Sequence, residues 1–212
     1  MKKGAKGIRI LLFVMCIIGM IITLCTAFFD IDSLKTENID LHSDEVRGGI
    51  PLFLQADDRW GNKMYGDDCM AVTGCGPTCL AMVRCGLGND RKWDPYRVAQ
   101  LAEKKGLYIE GKGSSWELMT EGASALGLIS EEVIFNKVHI IRVLEAGKPI
   151  ICAMRPGDFT TEGHFIVLVG IDSSGEIVVN DPNSQDNSDK TWDIDTIMGQ
   201  TKNLWAYTLD KE

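Results

Sequence analysis

The chain has 212 residues, with 22 basic and 30 acidic side chains and a net charge of −8. That length holds one domain of ordinary size plus a smaller extra segment. Setting aside the four basic residues of the first nine (Lys2, Lys3, Lys6 and Arg9) leaves 18 basic against 30 acidic, a net −12, which excludes nucleic-acid binding through phosphate neutralisation.

Residues 1–9 read as a cytoplasmic basic tail, and Ile10–Phe29 follows as 20 residues without a charge. At about 1.5 Å of rise per residue this run matches a hydrocarbon core of roughly 30 Å, so a single transmembrane signal-anchor helix is expected over residues 10–29. Basic residues before it and acidic ones after it predict an extracytoplasmic position from Asp30 onward. Cleavage near Ala27, in the small-x-small stretch Cys25-Thr26-Ala27, is the alternative and gives a secreted chain. Residues 30–49 are polar, acidic and poor in aromatics, and read as a stalk or linker. The folded domain is expected over residues 50–212.

That domain opens with "IPLFLQ", a short strand ending at Gln55. "CGPTCLAMVRCG" predicts a helix over about residues 76–85, with Pro77 in its first turn and Gly86 as its stop. Asp94 as cap, Pro95 in the first turn and Gly106 at the end predict a second helix, and Ser115 to Gly127 a third. "NKVHIIRVLEAGKP" is a further amphipathic helix closed by Gly147 and Pro149. The pattern then turns to strands: "PIICAM", "GHFIVLVGI", "EIVVN" and "NLWAYTL". Helices first and a meander of strands later predict an α+β fold, N-terminal helices packed on an antiparallel sheet.

Seven cysteines raise disulfide, zinc and redox readings. Cys16 and Cys25 lie in the apolar run, which leaves an odd five: Cys69, Cys75, Cys79, Cys85 and Cys152. Their spacing contains no Cys-x-x-Cys knuckle, which argues against a metal site and against a redox dithiol. Cys79, Cys85 and Cys152 sit among apolar residues as small core fillers. Cys75 is different. In "TGCGPTCLAM" it stands at a helix start, where unpaired N–H groups and the macrodipole favour an anion such as a thiolate.

A cysteine nucleophile needs a base and the base an orienter. Of the three histidines, His42 falls in the stalk and His139 on the amphipathic helix, whereas His164 opens an apolar strand. If Ser173-Ser174 is a tight turn that pairs Asp172 with Gly175, His164 lies opposite Asn183, with Asp181 as its diagonal neighbour on the same face. Asp181 is thus the expected orienter, and Asn180 the fallback on the other face. The backbone N–H of Cys75 and the carboxamide of Gln55 are the expected oxyanion donors.

These residues resemble a family. "LQADDRWGNKMYG", "GCGPTCLAM", "GHFIVLVGID" and "NDPN" are similar to the C-39-like cysteine peptidases, relatives of the bacteriocin-processing double-glycine peptidases, over roughly residues 50–208. The resemblance implies a papain-like fold, with Cys75 as nucleophile, His164 as base, Asp181 as orienter and Gln55 as oxyanion donor. Asp58, Trp60 and Tyr65 match the family's lead-in as structural residues. It implies a peptide or protein substrate and no cofactor or metal. The bacteriocin peptidases are joined to export ATPases; this chain has no P-loop and its charge pattern faces outward, so thiol peptidase chemistry carries over and leader cleavage does not. A catalytically silent peptide-binding module, and a cell-wall amidase or acyl transferase using the same triad, are the alternatives.

Overall fold

Local capping and turn chemistry sets most helices of the computed structural model, which describes residues 39, 46, 47 and 49–210. Strands β1 (Val46–Arg47) and β2 (Ile50–Pro51) pair with each other, as do β3 (Met64–Tyr65) and β4 (Asp68–Cys69). The expected strand through Gln55 is therefore two residues long. After it, Phe53 packs edge-on against Trp60, whose indole Nε1 donates to Leu54 O at 2.8 Å.

A one-turn helix α1 (Met70–Thr73) leads into α2 (Cys75–Gly88). Gly86 does not stop α2, which ends at Asn89 with φ +47°. Gly86 is instead a contact point, since a Cβ there would lie 2.3 Å from Ile50 Cδ1 and 3.0 Å from Gly49 O. Helix α3 (Pro95–Lys104) starts as expected, with Asp94 accepting from Arg97 N at 2.9 Å. A small hairpin, β5 (Tyr108–Ile109) with β6 (Gly113–Ser114), follows. The single helix expected from Ser115 to Gly127 is two pieces, a 3-10 turn at Trp116–Met119 and α4 (Glu121–Ala125), broken at Thr120. At Thr120 the backbone, with φ −116° and ψ −69°, leaves regular helical geometry.

Strand β7 (Leu128–Glu132) precedes α5 (Lys137–Glu145), which Asn136 caps by accepting from His139 N at 3.1 Å. Then come β8 (Ile150–Met154), β9 (His164–Ile171), β10 (Ile177–Asn180), α6 (Gln185–Ser188), β11 (Thr191–Trp192), α7 (Ile194–Gln200) and β12 (Thr201–Leu209). The main sheet runs β11-β10-β9-β8-β12-β7 with every neighbour antiparallel. One face, through Ile151, Ala153, Phe165 and Val167, packs with Cys79, Leu80 and Val83 of α2. The other, through Ile150, Cys152, Ile166 and Leu168, packs with Ile140 of α5 and Ile197 of α7. Cover on both faces is why β8 and the start of β9 read as unbroken apolar runs rather than as alternation.

The β9–β10 register differs from expectation near the turn. Ile171 pairs with Ile177 and Gly170 with Val178, one residue out of the expected alignment. A bulge then brings Leu168 opposite Val179 and Val167 opposite Asn180, which is the alignment expected.

The fold class is corrected on one point. Among the described residues no helix is long and apolar enough to cross a membrane. The longest, α2, has 14 residues, about 21 Å against the roughly 30 Å required. The transmembrane helix expected over residues 10–29 lies outside the described residues, and the architecture is the α+β domain without it.

Candidate active site

The sheet end where β9 begins and β10 finishes holds the candidate site residues. His164 is the first residue of β9 and pairs with Met154 of β8. Its Nε2 lies 2.7 Å from Oδ1 of Asp181, the residue that follows β10. Asp181 is fully buried, and a buried carboxylate needs partners for its lone pairs. Oδ1 also accepts from Asn183 N, and Oδ2 from Asn187 Nδ2, each at 2.9 Å. Three donors thus fix the plane of the group. The Asp181 backbone N–H is tied as well, to Ser188 Oγ at 2.9 Å.

Cys75 is the first residue of α2, so its N–H is among those that a helix leaves without an intrahelical acceptor. Its half-buried thiol lines the same cavity as the His164 ring, near enough for its charge to act on that ring. The imidazole is bonded to the carboxylate and lies in the cavity wall with the sulfur. Burial opposes a charge on the ring, but the hydrogen bonds and charges of Asp181 and Cys75 outweigh it and push His164 up to about 10. Of the expected site residues, His164 and Asp181 are in direct contact, and Cys75 shares a cavity wall with His164. Both Cys75 and His164 line a cavity of about 560 Å³, whose walls include Ser114, Trp116, Met154 and Lys202.

Gln55 is buried beneath the approach to the helix. Its Nε2 donates to Ala71 O at 2.8 Å and makes a longer contact to Val72 O at 3.5 Å. Its backbone N–H donates to Pro182 O at 2.7 Å, so Gln55 links the segment before Cys75 to the segment after Asp181. The fallback orienter Asn180 is placed elsewhere, its Nδ2 donating to Pro51 O at 3.1 Å. Tyr65 is buried and Trp60 packs in the core, whereas Asp58 is exposed. His42 lies outside the described residues; His139 is half-buried on α5.

The glycines around Cys75 serve the protein's own packing. A Cβ on Gly74 would lie 2.4 Å from Met70 O, and one on Gly76 2.5 Å from Ser114 Oγ. Cys79, Cys85 and Cys152 are buried fillers, as expected. Burial pushes the Cys79 thiol well above its ordinary range, with the nearby charges of Cys75, Asp181 and Cys152 adding to the effect. Its Sγ donates to Phe165 O at 3.2 Å.

Sequence reading missed Asn187 and Ser114. Asn187 lies in "NSQDNS", which reads as turn, and Ser114 in a two-residue strand; neither carries a spacing signal.

Comparison with known proteins places this geometry. The model of the Peptidase_C39 like family matches residues 48–211. No curated protein matches. A solved double glycine motif protease from an AMS/PCAT transporter, in complex with its leader peptide, superposes with a TM-score of 0.51 at 17% identity, covering 77% of this chain and 94% of that one. At that identity the likeness speaks to the fold, which is papain-like α+β. The interpain A cysteine protease of Prevotella intermedia gives a TM-score of 0.41 at 15% identity, over 80% of this chain and 98% of that one.

Proposed function

The chain belongs to the Peptidase_C39 like family, and on that premise we propose that it is a cysteine peptidase that cleaves a peptide bond through Cys75, His164 and Asp181. The observation that carries this reading is an imidazole bonded to a buried carboxylate and sharing one cavity with a thiol at a helix start. Cys75 sulfur, as thiolate, attacks the substrate carbonyl carbon, and negative charge develops on its oxygen. The Cys75 N–H is the donor to that oxygen, and Gln55 joins it if its Nε2 releases the long contact to Val72 O. The C–N bond breaks as His164 gives its proton to the leaving amine, which leaves a thioester. Water then adds with His164 taking its proton, the C–S bond breaks, and the acid product and thiolate are released. Asp181 keeps the ring oriented and its charge compensated throughout.

The substrate is a peptide or protein; the leader peptide held by the solved double glycine protease supports a peptide in this groove. Extracytoplasmic action is part of the proposal, supported by the basic residues before and acidic residues after residues 10–29. The test is incubation with a defined peptide library and mass spectrometry of new termini. Cleavage by the wild type and none by Cys75→Ala is expected; cleavage that survives in Cys75→Ala overturns the proposal.

A further inference from the structure

Ser114 ends β6 and lines the same cavity as Cys75 and His164. It touches the residue after the nucleophile: a Cβ on Gly76 would lie 2.5 Å from Ser114 Oγ and 2.7 Å from its Cβ. The Tyr65 hydroxyl lies 2.9 Å from Ser114 Oγ, and Tyr65 is fully buried. Burial holds the Tyr65 phenol in its protonated form; its bond to Ser114 opposes that, and the nearby charge of Cys75 reinforces it. Phenol, serine hydroxyl and nucleophile are neighbours.

The direction of the hydroxyl bond follows from burial. A buried phenol O–H needs an acceptor, and Ser114 Oγ is the acceptor beside it. Once Oγ accepts from Tyr65, the serine's own hydrogen points elsewhere. Tyr65 and Gly76 occupy two sides of the hydroxyl, and the cavity is the side left open. An O–H that accepts one hydrogen bond while donating another is also the stronger donor.

We propose that Ser114 is a substrate-contacting residue of the groove, its hydroxyl held by Tyr65 so that it donates to a main-chain carbonyl of the peptide bound at Cys75. This rests on the peptidase reading above. A carbonyl is the complement of a lone donor of this kind and is present in every peptide, so Ser114 fixes the position of the chain rather than the choice of side chain. Tyr65 is a positioning residue that acts through Ser114.

The experiment compares wild type, Ser114→Ala, Tyr65→Phe and the double variant on one fluorogenic peptide-aminomethylcoumarin substrate taken from the wild type's own cleavage profile. Iodoacetamide alkylation of Cys75 and thermal unfolding are measured alongside. Ser114→Ala is expected to lower kcat/KM about tenfold, the equivalent of one hydrogen bond. Most of that loss should appear in KM with the alkylation rate unchanged, while the unfolding temperature falls, because the Tyr65 phenol loses its acceptor, and recovers in the double variant. Tyr65→Phe should lose less, and the double variant no more than Ser114→Ala, because both act on one contact. Wild-type kinetics in Ser114→Ala, a loss mirrored in the alkylation rate, or additive losses in the double variant overturn the inference and leave the peptidase reading standing. A wild type that cleaves nothing while Cys75 is alkylated removes the peptidase reading, and this inference with it.

Discussion

His164 Nε2 lies 2.7 Å from Asp181 Oδ1, with His164 8% exposed and Asp181 fully buried. The carboxylate and the Cys75 sulfur hold the ring's charge against burial, so His164 titrates at about 10 instead of 6.5. A raised value of this kind contributes stability that is complete below about pH 6.5 and lost as pH rises through about 10. Urea unfolding of the wild type should therefore weaken across that window, and His164→Ala should not show the loss. By NMR, His164 of the wild type should titrate near 10, and in Asp181→Asn its value should fall toward or below the ordinary one. The same midpoint near 6.5 in both proteins contradicts the coupling.

Asn187 Nδ2 donates to Asp181 Oδ2 at 2.9 Å, and Trp192 Nε1 holds Asn187 O at 2.9 Å. Asn187→Ala leaves one buried carboxylate oxygen short of a donor, which costs roughly 1–3 kcal/mol where no water replaces it. A lower unfolding temperature together with a shifted alkaline limb of the activity profile is expected. A variant with lower stability and an unmoved pH profile would make Asn187 a structural residue only.

Gln55 Nε2 gives one hydrogen to Ala71 O at 2.8 Å and the other to a long contact with Val72 O at 3.5 Å. If the other serves the oxyanion, Gln55→Ala should lower kcat by about 10²-fold while KM changes little. Steady-state kinetics on the folded variant decides this. An unchanged kcat would restrict Gln55 to tying the Cys75 approach to the Pro182 segment.

Gly76→Ala places a methyl 2.5 Å from Ser114 Oγ and 2.7 Å from Ser114 Cβ. Overpacking of that kind costs typically about 1–3 kcal/mol. Because the clash involves both side-chain atoms of Ser114, Ser114→Gly in the Gly76→Ala background should restore most of the unfolding temperature. Failure to restore it means that the strain lies in the α2 backbone.

How much of this was legible depends on how local each signal is. Asp94 announces its helix because a cap is decided within four residues. The β8 and β9 runs are plain because both faces of the sheet are covered. Strand β7 escaped because it is an edge strand, largely exposed, with one buried leucine at its start. The meeting of His164 and Asp181 was reached through an alignment that is wrong at the turn and right further along the ladder. The bulge that reconciles the two is a backbone event with no residue signature in "LVGID". The fenced cysteine was visible, but the reason for its glycines was not: Ser114 reaches Gly76 from 38 positions away.

The central claim, that Cys75 is a nucleophile paired with His164, is tested most directly by alkylation. Intact protein is treated with iodoacetamide at about pH 6, below the ordinary cysteine value of ~8.5, and the modified sites are timed by mass spectrometry. Cys79, one turn further along α2, is fully buried with its thiol held well above the ordinary range, and provides the internal reference. The account predicts modification of Cys75 far ahead of Cys69, Cys79, Cys85 and Cys152, and a marked slowing at this pH in His164→Ala. Equal rates at Cys75 and Cys79, or a Cys75 rate indifferent to the loss of His164, would contradict it.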